Sequence, residues 1–95
     1  MDAKQVVRLA KEHIRTLLDE EEITDLGLEE VEFDREERIW LVTLGFSRPW
    51  DYPRNSLSAT ISAPNARRSY KIVEIDDGTA TVLGVRIRQL DEVSV

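Results

Sequence analysis

The chain contains no cysteine and a single histidine, His13, and each scarcity removes a class of chemistry. Without cysteine there is no disulfide, no thiolate metal site and no thiol nucleophile, so the fold must hold by packing alone. A lone histidine serves as a general base only with a partner and a substrate pocket. On a helical wheel His13 falls at the border of an apolar stripe, where it needs neither. No nucleophile motif, phosphate-cradling glycine loop or histidine–carboxylate metal spacing is present. The expectation is a non-enzyme with no catalytic residue, no cofactor and no metal.

Long apolar runs are missing too. No stretch approaches the roughly 20 apolar residues of a membrane span, and "MDAKQVVRLAKEH" lacks the apolar core and small-residue cleavage site of a secretory signal. A soluble cytoplasmic protein without membrane contact is expected. Its 95 residues, 41% of them hydrophobic, suit one compact domain with a single core.

What the chain does have is charge, unevenly placed. Residues 19–37 hold 11 of the 19 acidic side chains against one basic residue, Arg35, whereas the whole chain carries a formal charge of −6. An acidic total disfavours nonspecific nucleic-acid binding, which rests largely on displacing phosphate counterions with Lys and Arg. The acidic run "DEEEITDLGLEE" lacks the alternate-position ligands of an EF-hand, and reads as a solvated face, with weak cation binding or an acidic surface for a basic partner as the alternatives.

Periodicity divides the chain into one helix and four strands. Over residues 3–20, Ala3, Val6, Val7, Ala10, Ile14, Leu17 and Leu18 recur at about 100° per residue, with Lys4, Arg8, Lys11 and Arg15 opposite. Asp19–Glu22 set negative charge against the negative end of the helix dipole and should fray it, after which Gly27 is expected to make the turn. Twofold alternation then predicts strands at about 28–34, 38–47, 68–76 and 79–90. The second, "RIWLVTLGFS", is apolar on both faces and belongs in the middle of a sheet. Asp77-Gly78 signals a hairpin between the last two. The predicted fold is α+β, with the N-terminal helix packed on a four-stranded antiparallel meander.

The segments "VVRLAKEHIRTLL", "EEVEFDREERIWLVTL" and "YKIVEIDDGTATVLGVRIR", about half the chain, resemble the cystatin-like architecture and, more locally, PepSY-like domains. That resemblance implies a helix feeding a curled antiparallel sheet and a role in binding partners, by proposal the restraint of peptidases. The chain departs from it in carrying about 20 extra residues between the second and third strands and in lacking an export signal.

Those extra residues, about 48–67, form the one long irregular stretch, and a loop of this length in a compact domain usually has a function. "SLSATIS" within it alternates as a short edge strand would. Between Arg38 and Lys71 stand six basic residues and one acid, Asp51. "SRPWDYPRNS" gathers the Trp, Tyr and Arg types that dominate interface hot spots, and Pro49 and Pro53 limit the entropy lost on binding. Arg48, Trp50, Tyr52 and Arg54, with Arg67 and Arg68 at the edge, are therefore the expected partner-binding residues. The opposing reading has Trp50 and Tyr52 folding back to cap the rim of the sheet.

The expected function is a small protein-binding module, of the immunity, antitoxin or adaptor kind, with a protein partner. Homodimerisation is a further expectation, because the acidic and basic segments complement each other and an antiparallel sheet often leaves one face open; Trp40 or Ile39, whichever points away from the helix, would then be buried between chains. The alternative is a small-molecule-binding or enzymatic cone-shaped domain with a pocket between helix and sheet.

Overall fold

The computed structural model describes residues 1–49 and 68–88. Helix α1 (Ala3–Leu17) is followed by a single 3₁₀ turn (Asp19–Glu21) and strands β1 (Thr24–Asp34), β2 (Ile39–Ser47), β3 (Ser69–Asp76) and β4 (Val82–Ile87). The strands form one antiparallel sheet in the order β1-β2-β3-β4, the α+β meander that the periodicity predicts. Among the described residues no helix is long and apolar enough to cross a membrane.

The helix starts where its side chains can satisfy the first orphan N–H groups. Asp2 Oδ1 accepts the Gln5 N–H at 2.8 Å and Gln5 Oε1 accepts the Asp2 N–H at 2.9 Å, a reciprocal capping box. It stops where the acidic run begins: the Leu18 N–H closes the last turn on the Ile14 carbonyl, and the chain reverses through Glu22 in the left-handed region. Val6, Ala10 and Ile14, at the centre of the stripe, are fully buried against Val42, Leu44 and Phe46 of β2 and Val73 and Ile75 of β3. These eight side chains occupy the space between helix and sheet. Leu17, at the stripe's end, remains 55% exposed, whereas Leu18 beside it packs against the core. Trp40 lies on the helix side and packs on Phe33 in a tilted arrangement, with ring centroids 4.8 Å apart and planes at 44°, so Ile39 is the residue that faces away.

One turn differs from the sequence reading, whereas the hairpin through Asp77-Gly78 forms where it is predicted. The reversal before β1 uses Glu22 (φ 52°), and the strand begins at Thr24 with Asp25 (φ 57°) in the irregularity between Thr24 and Gly27, so Gly27 is strand, not turn. In the β3–β4 hairpin the left-handed residue is Ala80 (φ 59°) and not Gly78. Both hairpins share one design. In the first, Asp34 Oδ1 accepts the N–H groups of Glu36 and Glu37, and Arg38 (φ 58°) donates its N–H to the Asp34 carbonyl at 2.7 Å. In the second, Asp76 Oδ2 accepts the N–H and hydroxyl of Thr79, and Ala80 donates to the Asp76 carbonyl at 2.9 Å. The aspartate anchors a four-residue loop through its side chain, and the fourth residue absorbs the left-handed twist. β4 starts at Val82 rather than 79 because this loop uses residues 77–80, and its last expected residues, 89 and 90, lie outside the described ones.

The hairpins are bound side by side. The Asp77 N–H donates to the Arg38 carbonyl at 3.1 Å, and the Asp77 carboxylate accepts from Trp40 Nε1 at 2.9 Å and from Arg38 Nη2 at 3.3 Å. The indole N–H chiefly holds the Asp77 carboxyl below the usual carboxylate range, with help from the Met1 ammonium and Arg38 charges. The Thr79 N–H and hydroxyl do the same for Asp76.

Two outcomes follow from these loops. A left-handed alanine costs roughly 1–2 kcal/mol, part of which glycine returns as unfolded-chain entropy. Ala80→Gly should therefore raise the urea-unfolding free energy by about 0.5–1 kcal/mol, while Gly78→Ala leaves it unchanged or higher; the reverse ranking would restore Gly78 as the turn residue. Because both aspartates have folded pKa values below their unfolded ones, their stabilisation is complete above the unfolded value and is lost as pH falls through the folded ones. Melting curves taken through the acid range should lose less stability for the Asp76→Asn, Asp77→Asn chain than for wild type. Parallel acid limbs would contradict the assignment.

Candidate functional site

Of the six expected partner-binding residues, Arg48 and Arg68 are described; Trp50, Tyr52, Arg54 and Arg67 lie outside the described residues, as does the strand-like stretch 57–61. Arg48 and Arg68 flank the two ends of the middle connection. They do not form one patch, because the alternation of the strands sends them to opposite faces of the sheet.

Arg48 follows the parity of Phe46 and lies on the helix side. Its Nη1 donates to Glu21 Oε1 at 3.0 Å, its Nη2 to Ser69 Oγ at 2.7 Å, and its guanidinium carbon sits 5.6 Å from the centroid of the Phe46 ring. The side chain is 21% exposed. It thus links the acidic 3₁₀ turn, the last residues of β2 and the first residue of β3, which accounts for the position of Glu21 against the dipole-disfavoured end of α1.

Arg68 lies on the other face. Its Nη2 donates to the Asp25 carbonyl at 2.9 Å and is 3.8 Å from Glu29 Oε2. To reach β1 from the start of β3 it must pass over β2, and it does so at Gly45. A Cβ on Gly45 would stand 2.9 Å from Arg68 Nη2, Glu29 Oε2 and Tyr70 Cε1 alike. Gly27 pairs with Gly45 across the β1–β2 ladder, so two glycines open a trough that the arginine and the tyrosine occupy.

The rest of this face follows the same logic. Arg88 Nη1 donates to Thr43 Oγ1 at 2.7 Å and to Glu30 Oε1, and Thr43 is only 2% exposed although it points away from the helix. Arg86 Nη2 pairs with Glu74 Oε2 at 2.7 Å. Acids of β1 and β3 are met by arginines at β4 and the start of β3, so the uncovered face is crossed by ion pairs, with Ile39, Leu41 and Ile72 half-buried between them. These crossings were missed from the sequence. Gly45 inside an apolar strand was their one visible signal, since a strand-interior glycine often marks a close approach.

The remaining candidates lie on the helix and the acidic segment that follows it. An open depression of about 360 Å³ lies beside the helix end, lined by Arg15, Leu18, Asp19, Glu22, Ile23 and Asp25 among others. Among the described residues no group of three or more His, Asp or Glu side chains is arranged to hold a metal ion. His13 is half-buried at the edge of the helix stripe.

The trough makes a direct prediction. Gly45→Ala must displace the Tyr70 ring and should cost about 1–3 kcal/mol in urea unfolding, as overpacked sites do. Gly27→Ala, whose Cβ would meet nothing within 4 Å, should cost nothing. Equal losses at both positions would mean that the crossing over β2 is not what requires glycine. In comparisons with known protein families, curated proteins and solved structures, the chain matches none.

Proposed function

We propose that the chain is a binding module for another protein, with Arg48, Trp50, Tyr52 and Arg54 supplying the contact segment and Arg67 and Arg68 its edge. The observation that carries this reading is the fixing of both ends of the segment. Arg48 is held by Glu21 and Ser69 on the helix side, and Arg68 by the Asp25 carbonyl and Glu29 on the other. A connection whose ends are set by the fold loses less entropy on binding than one anchored loosely.

Residue types support the same assignment. Trp, Tyr and Arg carry most of the energy of typical interfaces, and "RPWDYPR" concentrates them within seven residues of sequence. Arg48 and Arg68 act chiefly as anchors, leaving Trp50, Tyr52 and Arg54 as the residues that discriminate a partner. The resemblance to PepSY-like domains, which bind other proteins, points the same way, and a cytoplasmic immunity, antitoxin or adaptor factor is the kind of role it suits. No catalytic step is part of this reading.

The test uses the wild-type chain and the Trp50→Ala, Arg54→Ala chain as baits in cell extract, followed by calorimetric titration of any protein the wild type retains. The expected result is a loss of more than about 1 kcal/mol in affinity for Trp50→Ala alone, with an unchanged melting temperature. A lower melting temperature with affinity intact would identify Trp50 as a cap on the core and remove the segment as the site.

A further inference from the structure

The two edges of the sheet are treated differently. β1 is guarded in the ways that edge strands usually are: it carries exposed Glu29, Glu30 and Glu32 and two register irregularities along its length. β4 is not. Leu83 is 52% and Ile87 73% exposed, and its one irregularity lies at the hairpin end, where Leu83 is the extra residue between Val82 and Gly84. Exposed apolar residues on an edge strand present both side chains and backbone to another chain.

The backbone groups available there are defined by register. The Arg88 N–H donates to the Tyr70 carbonyl, so with the twofold alternation of an antiparallel ladder Arg88 and Arg86 point their polar groups at β3. Those of Val85 and Ile87 then point outward. Gly84 adds an unexplained feature. It has no left-handed φ, and a Cβ there would meet only Glu74 Oε1, at an ordinary 3.8 Å. Among the described residues nothing requires glycine at this position, and glycine weakens a strand.

We propose that β4 pairs antiparallel with β4 of a second copy of this chain, about a two-fold axis at Val85. This interface is separate from the rim segment of the protein-binding reading and stands or falls independently of it. In that register Ile87 lies opposite Leu83 of the second copy, and the reverse, so the two exposed apolar residues cover each other on the helix side. On the other face Arg86 lies opposite Gly84 of the second copy. Since Gly84 is itself opposite Glu74 in the β3–β4 ladder, each arginine can extend across the bare glycine toward the Glu74 of the other chain. Each Glu74, already 2.7 Å from its own Arg86, gains a second arginine. A register centred on Arg86 would instead set the two arginines directly opposite, which like charges disfavour. Charge and apolar contact thus select the same axis, and the requirement for glycine at 84 is explained by the approaching arginine.

The test is sedimentation equilibrium of the full chain over a wide concentration range, with Gly84→Val and Ile87→Asp alongside. The expected result is a monomer–dimer equilibrium in which each substitution weakens association by about tenfold or more. Gly84→Val, which suits a strand, should do so without lowering the melting temperature measured at dilution. Because the chain has no cysteine, the axis can be checked separately: oxidised Val85→Cys should give a covalent dimer, whereas Leu83→Cys, whose counterpart is residue 87, should not. A wild-type chain that stays monomeric throughout would overturn the proposal. So would a dimer whose dissociation constant neither substitution changes, or one cross-linked equally through 83 and 85.

Discussion

Everything in this fold depends on β2 being buried from both sides. Val42 to Ser47 are six consecutive buried residues, and their alternation sends Val42, Leu44 and Phe46 to the helix and Thr43, Gly45 and Ser47 to the other face. A single helix can cover only one of these faces. The second is closed by side chains reaching inward from the flanking strands: Arg88 over Thr43 toward Glu30, Arg68 and Tyr70 over Gly45 toward β1. With few residues available, the chain uses long arginines as cover, burying their methylene stems over apolar ground while the guanidinium groups remain paired with acids.

This device assigns a use to the uneven charge. The acids of residues 19–37 are distributed among the 3₁₀ turn, the bulged edge of β1 and the first hairpin, and the arginines of the second half are placed to meet them. Exposed pairs of this kind contribute little individually. Their effect is to position: Glu21 and Ser69 fix Arg48, and Glu29 and the Asp25 carbonyl fix Arg68, so the two ends of the middle connection leave the sheet at set places. At the other end, Asp34, Asp76 and Asp77 organise both hairpins by accepting N–H groups, and Trp40 joins the core to that cluster through its indole N–H.

Sequence periodicity was sufficient for the helix, for β2 as a central strand and for the meander, because each rests on apolar spacing that only one face of one element can satisfy. It missed the left-handed positions, which are held by Glu22, Asp25, Arg38 and Ala80 rather than by glycine. There the aspartate side chains of the hairpins and the closing backbone bonds outweigh the preference for glycine. Gly45 is instead placed for approach, beneath Arg68 and Tyr70. For the candidate site, residue type marked the segment between β2 and β3, but not that its flanking arginines fall on opposite faces. That depends on strand parity combined with partners more than 20 residues away in sequence, which a linear pattern does not contain.

Among the described residues the protein is a small scaffold in which β2 is held from above and below and the middle connection leaves the sheet between two anchored arginines, Arg48 and Arg68. Native-state amide hydrogen exchange tests the double cover of β2 most directly. If β2 is the doubly covered element, the amides of Val42 to Phe46 should exchange only through global unfolding, with a free energy equal to that from urea denaturation. The outer residues of β1 should open at lower cost. If the β2 amides exchanged through a cheaper local opening while those of α1 or β1 stayed protected, the side chains crossing its second face would not be holding the fold, and the account would be contradicted.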